Sequence, residues 1–146
     1  QARAMAGDYL GGLDLIRDYW GGMLDLGATS FWEHFELDWM TNAGRIDEIP
    51  HPGKVDVHKD CGAYCFTGLR HSLCHGWASG PTAWLSEHVL GIQILSPGAR
   101  RVTVEPHLGD LEWVRGTFPT PNGIIEVECR KGEEPKTRFP KGVERA

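Results

Sequence analysis

The residues best suited to chemistry lie in the stretch GATSFWEHFELDW, residues 27 to 39. Glu33 directly follows Phe31 and Trp32, so a carboxylate stands beside aromatic rings. Burying an ionised carboxylate costs free energy unless the group is paired or protonated. A carboxylate in a partly dry place suits general acid or base work, and rings form platforms for sugar faces. The alternative is a glutamate on the wet side of a helix whose aromatic neighbours face the core.

Two more carboxylates follow at Glu36 and Asp38. They are either solvated partners of their neighbours or groups that help to hold an attacking water near Glu33. The residue types alone leave both interpretations open.

The second candidate is His75, in the stretch SLCHGWASGP, residues 72 to 81. A histidine flanked by Gly76 and Trp77 can donate a hydrogen bond to a hydroxyl-rich ligand. The alternative is a structural histidine with its hydrogen bonds satisfied inside the protein. The glycines and Pro81 indicate a loop that leads into a helix, and loops on a rigid scaffold often carry binding residues.

A metal site is the third possibility, because six histidines and cysteines fall close together: His58, Cys61, Cys65, His71, Cys74 and His75. The Cys61-x3-Cys65 spacing roughly resembles half of a zinc site, but no second well-spaced pair follows it. The sequence therefore predicts no metal and no cofactor. It also lacks a phosphate-binding loop, a G-x-S-x-G element and an HExxH element.

Helical segments must position these residues. Apolar side chains recur at three- and four-residue steps over residues 8 to 25, which predicts a helix with Gly27 just past its end. Paired glycines weaken that helix but let a neighbour approach closely. Residues 31 to 40 are predicted to be a short helix or turn, and residues 41 to 60 a long loop. A second helix is predicted from Pro81 to the residue before Gly91.

The second half of the chain alternates with period two, which predicts strands. RRVTVEP and IIEVECRK both alternate, and LEWVRGTF is the expected partner of the latter across an Asn-Gly turn in PTPNG, residues 119 to 123. The remaining residues, from about 133 to 146, are predicted to be a polar tail. Helices followed by strands indicate two layers or two domains, with a boundary near residues 91 to 98.

Composition narrows the function. The net charge of −5 gives no sign of nucleic-acid binding, and no apolar run approaches the roughly 20 residues of a membrane span. Four cysteines are too few for a disulfide scaffold and leave the redox compartment open. The chain opens as if within a helix, so we expect a piece of a longer protein.

Three elements in order resemble the C-terminal end of family 78 glycoside hydrolases, the bacterial α-L-rhamnosidases: GATSFWEHF, SLCHGWASGPTAWLSEHVLGI and PGARRVTVEPHLGDLEWVRGTFPTPNGIIEVECRK. The resemblance runs from about residue 8 to 131 and is weakest over residues 41 to 60. It implies an α+β multidomain fragment. Residues 1–92 would be the last helices of a catalytic (α/α)6 six-hairpin barrel, and residues 93–146 part of a C-terminal antiparallel β-sandwich with a polar tail.

The resemblance also implies roles for single residues. Glu33 matches the general base of an inverting mechanism, and His75 matches a histidine that lines the sugar site. We add Trp32 and Trp77 as expected walls of that site. Members of the family more often have an amide residue where this chain has Cys74, so the support of His75 differs here.

No match to the acidic cluster that supplies the family's general acid occurs in this chain. We therefore expect the chain alone to be inactive, with the remainder of a parent chain and a rhamnose-containing glycoside or polysaccharide as its partners. The resemblance implies a bacterial protein. The sequence leaves its location open, with the periplasm and the cell exterior among the alternatives. The alternative function is a non-catalytic β-sandwich module that binds carbohydrate or supports another domain.

Overall fold

The computed structural model describes residues 1–49, 51–57 and 72–146. These residues form two compact units. The sheet unit combines Gln1–Leu13 with Thr82–Ala146, and the helical unit is Asp14–Pro81. Each unit has its own buried apolar cluster. The predicted division at residue 92 concerns the domains of a longer enzyme, and it stays a prediction.

The first predicted helix is confirmed. After the short helix α1 (Ala2–Met5), α2 (Tyr9–Ile16) continues through a wider π-type turn at Arg17–Gly21 into α3 (Gly22–Asp25). Gly27 ends the helix at a φ of +90°, where its N–H and that of Ala28 donate to carbonyls of the last turn. A glycine suits this position because it adopts positive φ without steric cost.

The helical unit is built around aromatic rings. The short helix α4 (Trp39–Asn42) follows an irregular stretch that ends in a turn at residues 37–38. The predicted short helix or turn over residues 31 to 40 is therefore confirmed only for its last four residues. The last two residues of α4 overlap the predicted loop of residues 41 to 60. The described part of that loop after α4 is irregular except for a bridge between Ala43 and Val55. The rest of the predicted loop, at 50 and 58–60, lies outside the described residues. The buried core of the unit comprises Met23, Leu26, Ala28, Trp32, Phe35, Trp39 and Val57.

The second predicted helix is also confirmed. A 3₁₀ turn at Gly76–Ser79 leads into α5 (Gly80–Trp84), which ends in a π-type turn at Leu85–Val89. Gly91 follows at a φ of +80°, and a Cβ atom there would overlap the backbone of Glu105. Both facts restrict this position to glycine.

Two small sheets make up the rest of the sheet unit. In the first, β1 (Ile92–Ile94) pairs antiparallel with β2 (Arg101–Val104). In the second, β3 (Trp113–Thr120) and β4 (Gly123–Arg130) form a long antiparallel hairpin. As the alternation predicts, Ile125, Val127 and Cys129 are buried. The core of the unit comprises Leu90, Ile92, Ala99, Val102, Val104, Ile125, Val127 and Val143.

The hairpin turn differs in detail from the expected Asn-Gly loop. Thr120 pairs with Gly123, so Pro121 and Asn122 form the two-residue loop. Gly123 carries the positive φ, +126°, one position after the loop. Proline presets the backbone of the first loop residue, and this shifts the glycine out of the loop centre.

The predicted polar tail is wrong. The strand β5 (Lys136–Arg138) pairs with β4, and β6 (Glu144–Arg145) pairs parallel with β2. Val143 is buried in the core. Phe139 is partly buried and packs against the same core. Backbone hydrogen bonds and these two apolar residues hold a segment whose side chains are mostly polar. The few helices and two mostly antiparallel sheets are compatible with a C-terminal β domain, and the helical barrel stays a prediction.

None of the helices in the described ranges is both long enough and apolar enough to cross a membrane.

Candidate functional site

The candidate site forms where two segments of the helical unit run side by side. The N–H of Glu33 donates to the carbonyl of Ser72 at 2.9 Å, and the N–H of His75 donates to the carbonyl of Phe31 at 2.7 Å. Residues 42 positions apart in sequence, Glu33 and His75, are thereby brought together. This pairing is the structural basis of the site.

Glu33 is held with little access to solvent. Its side chain is 12% exposed, and its Oε2 accepts a hydrogen bond from the backbone N–H of Ser72 at 2.7 Å. The same oxygen lies 3.7 Å from Nδ1 of His75, an ion pair when the imidazole is protonated. Glu33 is outside any helix, so the alternative of a glutamate on a wet helix face does not describe it.

Trp77 lies beside His75, with their ring centroids 4.5 Å apart and their planes at 40°. The indole N–H of Trp77 donates to the backbone carbonyl of Glu33 at 3.0 Å. The side chain is nevertheless open to solvent, since 65% of the residue is exposed. An exposed ring fixed next to a carboxylate and an imidazole is an arrangement that suits a sugar face.

Trp32 lies in the core of the helical unit, and only 1% of it is exposed. Its ring centroid is 6.3 Å from that of Phe35. Its role as a wall of the sugar site stays a prediction.

Ser72 is a residue that the sequence analysis missed. Its hydroxyl donates to the carbonyl of Cys74 at 3.0 Å and accepts from the N–H of Cys74 at 3.2 Å. The signal was present, because serine hydroxyls often bond backbone groups two residues on and make tight turns. The thiol of Cys74 is free and the residue is exposed. Hydrogen bonds to the backbone of Cys74 thus support the turn before His75.

Glu36 and Asp38 are both exposed. Oε1 of Glu36 lies 3.0 Å from Nε2 of His34, and the Glu36 side chain is 49% exposed. This favours the interpretation of the two carboxylates as solvated partners.

The metal candidates are only partly described. His58, Cys61, Cys65 and His71 lie outside the described residues. Within residues 1–49, 51–57 and 72–146, no group of three or more histidine, cysteine, aspartate or glutamate side chains is arranged to hold a metal ion.

Part of the chain matches a known family. Residues 91–142 match the family model described as the bacterial alpha-L-rhamnosidase C-terminal domain. The match confirms the resemblance over residues 91–142, which belong to the sheet unit. Glu33, His75 and their neighbours lie outside the matched range. None of the curated proteins compared with the chain matches it.

Proposed function

From the match of residues 91–142 to a rhamnosidase C-terminal domain, we propose that this chain is part of an inverting glycoside hydrolase of the α-L-rhamnosidase type. The match itself supports a glycoside hydrolase-related domain. In the proposal, Glu33 is the general base, and His75 and Trp77 contact the sugar. Trp32 belongs to the same site in this proposal, as the neighbour of the base in the chain.

One observation carries the proposal. The carboxylate of Glu33 and the imidazole of His75 lie 3.7 Å apart, and the exposed ring of Trp77 lies against that imidazole. Carboxylates with little exposure are costly to keep ionised, so such a group usually has specific partners. For Glu33 these partners are the backbone N–H of Ser72 and the imidazole of His75. Both can keep the carboxylate in place for use as a base.

The mechanism follows from the geometry that inversion requires. A general base takes a proton from a water molecule as the water attacks the anomeric carbon on the face opposite the leaving oxygen. The acid and base carboxyls are separated by roughly 6.5–9.5 Å to leave room for that water. Glu33 would also stabilise the positive charge that develops on the sugar ring. The acid would come from the remainder of the parent chain.

His75 has a distinct task in this proposal. When Nδ1 faces the carboxylate of Glu33, Nε2 is the nitrogen that can bond a sugar hydroxyl. Trp77 offers its ring to the apolar face of the sugar. The substrate would be a rhamnose-containing glycoside or polysaccharide.

The test is hydrolysis of an aryl α-L-rhamnoside by the full-length parent polypeptide and by the 146-residue chain alone. We expect turnover only from the parent, and Glu33→Gln should lower its kcat by about 10²- to 10⁴-fold, the usual contribution of a general base. Glu36→Gln is the matched control, because Glu36 is an exposed glutamate of the same segment bonded to His34. It should retain parental activity.

Two results would contradict the proposal. The first is turnover by the 146-residue chain that Glu33→Gln abolishes, since this would show that the chain holds a complete catalytic pair. The second is unchanged kcat of the parent after Glu33→Gln. Product analysis by NMR adds a further check, because the proposal requires that the first sugar released has inverted anomeric configuration.

A non-catalytic module is the second candidate function. The observation in its favour is that the family match is confined to residues 91–142 and excludes the helical unit. The sequence upstream of this chain distinguishes the two: an acidic, tryptophan-rich helical region favours the enzyme, and an unrelated domain favours the module. A parent polypeptide that binds rhamnosides without hydrolysing them would support the module.

A further inference from the structure

We propose that Ser72 is a positioning residue for Glu33, fixing the carboxylate through its backbone N–H and fixing the turn before His75 through its hydroxyl. The proposal further assigns Oε1 of Glu33 as the oxygen that receives the proton from water. It rests on the proposed function of Glu33 as the base.

The first step concerns the two carboxylate oxygens. Oε2 accepts the N–H of Ser72 at 2.7 Å and also lies 3.7 Å from Nδ1 of His75. A hydrogen bond to an ionised acceptor is short and strong compared with a neutral one. Because both contacts fall on Oε2, the orientation of the carboxylate is set by that atom. Oε1 is then the oxygen that can face a water molecule.

The second step concerns the backbone of Glu33, which is held at both ends. Its N–H donates to the carbonyl of Ser72 at 2.9 Å, and its carbonyl accepts the indole N–H of Trp77 at 3.0 Å. The remaining freedom of the residue lies in its side-chain torsions. The N–H of Ser72 restricts those torsions because it bonds the carboxylate. Ser72 therefore contacts Glu33 through both its backbone carbonyl and its backbone N–H.

The third step concerns the turn that presents this N–H. The hydroxyl of Ser72 bonds both the carbonyl and the N–H of Cys74, at 3.0 and 3.2 Å. Leu73 packs against the core of the helical unit, and the N–H of His75 donates to the carbonyl of Phe31. The turn is therefore anchored on both sides of Cys74. Removing the hydroxyl should loosen the donor to Glu33 and the start of the segment that carries His75.

The functional test uses the full-length parent polypeptide with an aryl α-L-rhamnoside. We expect Ser72→Ala to lower kcat by roughly 10- to 100-fold, because a small displacement of a catalytic group has an effect of this order. KM should change less than kcat, because Ser72 acts on the sugar only indirectly, through the segment that carries His75. Ser72→Thr keeps a hydroxyl and should restore most of kcat. Ser79→Ala is the control, because the Ser79 hydroxyl bonds the carbonyl of Gly76 in the adjacent turn.

The structural test uses backbone NMR of the ¹⁵N-labelled 146-residue chain. Glu33→Gln should move the amide proton of Ser72 upfield, because a neutral acceptor makes a weaker hydrogen bond than a carboxylate. Ser72→Ala should shift the amides of Cys74 and His75, and Ser79→Ala should leave them in place. This readout does not depend on turnover, and it reports directly on the bonds that carry the proposal.

The possible failures are distinguishable. If Glu33→Gln retains the kcat of the parent, the function proposed for Glu33 fails, and the positioning role fails with it. If Glu33→Gln is inactive while Ser72→Ala keeps full kcat, the positioning role alone is overturned. An amide of Ser72 that ignores Glu33→Gln would also overturn it. Loss of activity in Ser72→Ala without rescue by Ser72→Thr would show that the hydroxyl is not the cause.

Discussion

At the level of single residues, the sequence identified the candidate chemical groups but not their positions in space. The types and neighbours of Glu33 and His75 were enough to select them as candidates, and the structure places their side chains 3.7 Å apart. Their contact depends on backbone pairing between segments far apart in sequence, which no local pattern encodes. The same limit explains why the burial of Trp32 was not predicted. Its type predicts a large apolar ring, but only the fold shows that the ring faces the core.

Trp77 gives a test of the sugar platform. In the parent polypeptide, we expect Trp77→Ala to weaken binding of methyl α-L-rhamnoside about tenfold, near the upper range of what one ring contact supplies. The melting temperature should fall by only a few degrees, since the residue is 65% exposed. Binding is measured by calorimetry and stability by thermal unfolding.

Trp113→Ala is the matched control for Trp77→Ala. Trp113 is 58% exposed on β3, so it tests the loss of a similarly open indole outside the candidate site. Equal weakening of binding by both variants would contradict a specific platform at Trp77.

Elements were easier to predict than their connections. The periodic patterns indicated both predicted helices and the β3–β4 hairpin, because burial of one face imposes a period on the local sequence. The hairpin loop differs by one residue from the expected one, since Thr120 pairs with Gly123 and the positive φ of Gly123 falls just after the loop. The paired glycines of the first helix were read as sites of close approach. Gly12 meets that description, because a Cβ atom there would overlap the ring of Trp84.

Gly12 and Gly21 give opposite predictions for the same substitution. Gly12→Ala should lower the free energy of unfolding by about 1–3 kcal/mol, the usual effect of overpacking, despite the gain in helix propensity. Gly21→Ala should raise it by about 0.5–1 kcal/mol, because nothing lies within 4 Å of a Cβ atom there and alanine favours the helix.

Urea unfolding followed by far-UV circular dichroism measures both glycine variants. The two substitutions add the same methyl group to helical positions, so each serves as the control for the other. A stabilising Gly12→Ala would show that Trp84 moves aside without cost. The close approach would then be an incidental feature of the helix.

At the scale of the whole molecule, the order of helical and strand patterns indicated the fold class. The helix-to-strand order and the family resemblance agreed with the match over residues 91–142. The polar tail was wrong, because strand pairing uses backbone groups that side-chain polarity does not report. Residues near each end of the chain also join one unit, since Gln1–Leu13 groups with Thr82–Ala146. No sequence pattern that we read predicts such a grouping.

A cluster around His88 joins three stretches of the sheet unit. The His88 ring centroid lies 6.0 Å from that of Tyr9 and 5.3 Å from that of Trp84, and Tyr9 stacks on His107 at 3.8 Å. The His88 side chain is only 15% exposed, and its Nε2 lies 2.7 Å from Oε1 of Gln1. The stability of this unit should therefore respond to protonation of His88.

Acidification should weaken the sheet unit through His88. Burial of the imidazole lowers the pKa of His88, and the Glu87 carboxylate, 3.7 Å away, opposes that shift. Below the ordinary histidine pKa of about 6.5, the unfolded chain binds a proton that the folded chain does not. Unfolding then takes up protons, so the free energy of unfolding falls as pH decreases towards the lowered pKa. The slope for one proton is at most about 1.4 kcal/mol per pH unit.

The comparison of wild type with His88→Gln isolates this effect from the other histidines. Glutamine cannot titrate, so the stability lost on substitution should be largest near pH 7.5 and should shrink as the pH falls to about 5. Urea unfolding at a series of pH values measures that difference, and NMR of the imidazole follows the titration directly. A loss that stays constant or grows on acidification would contradict the prediction, because a lowered pKa requires protonation to favour the unfolded chain.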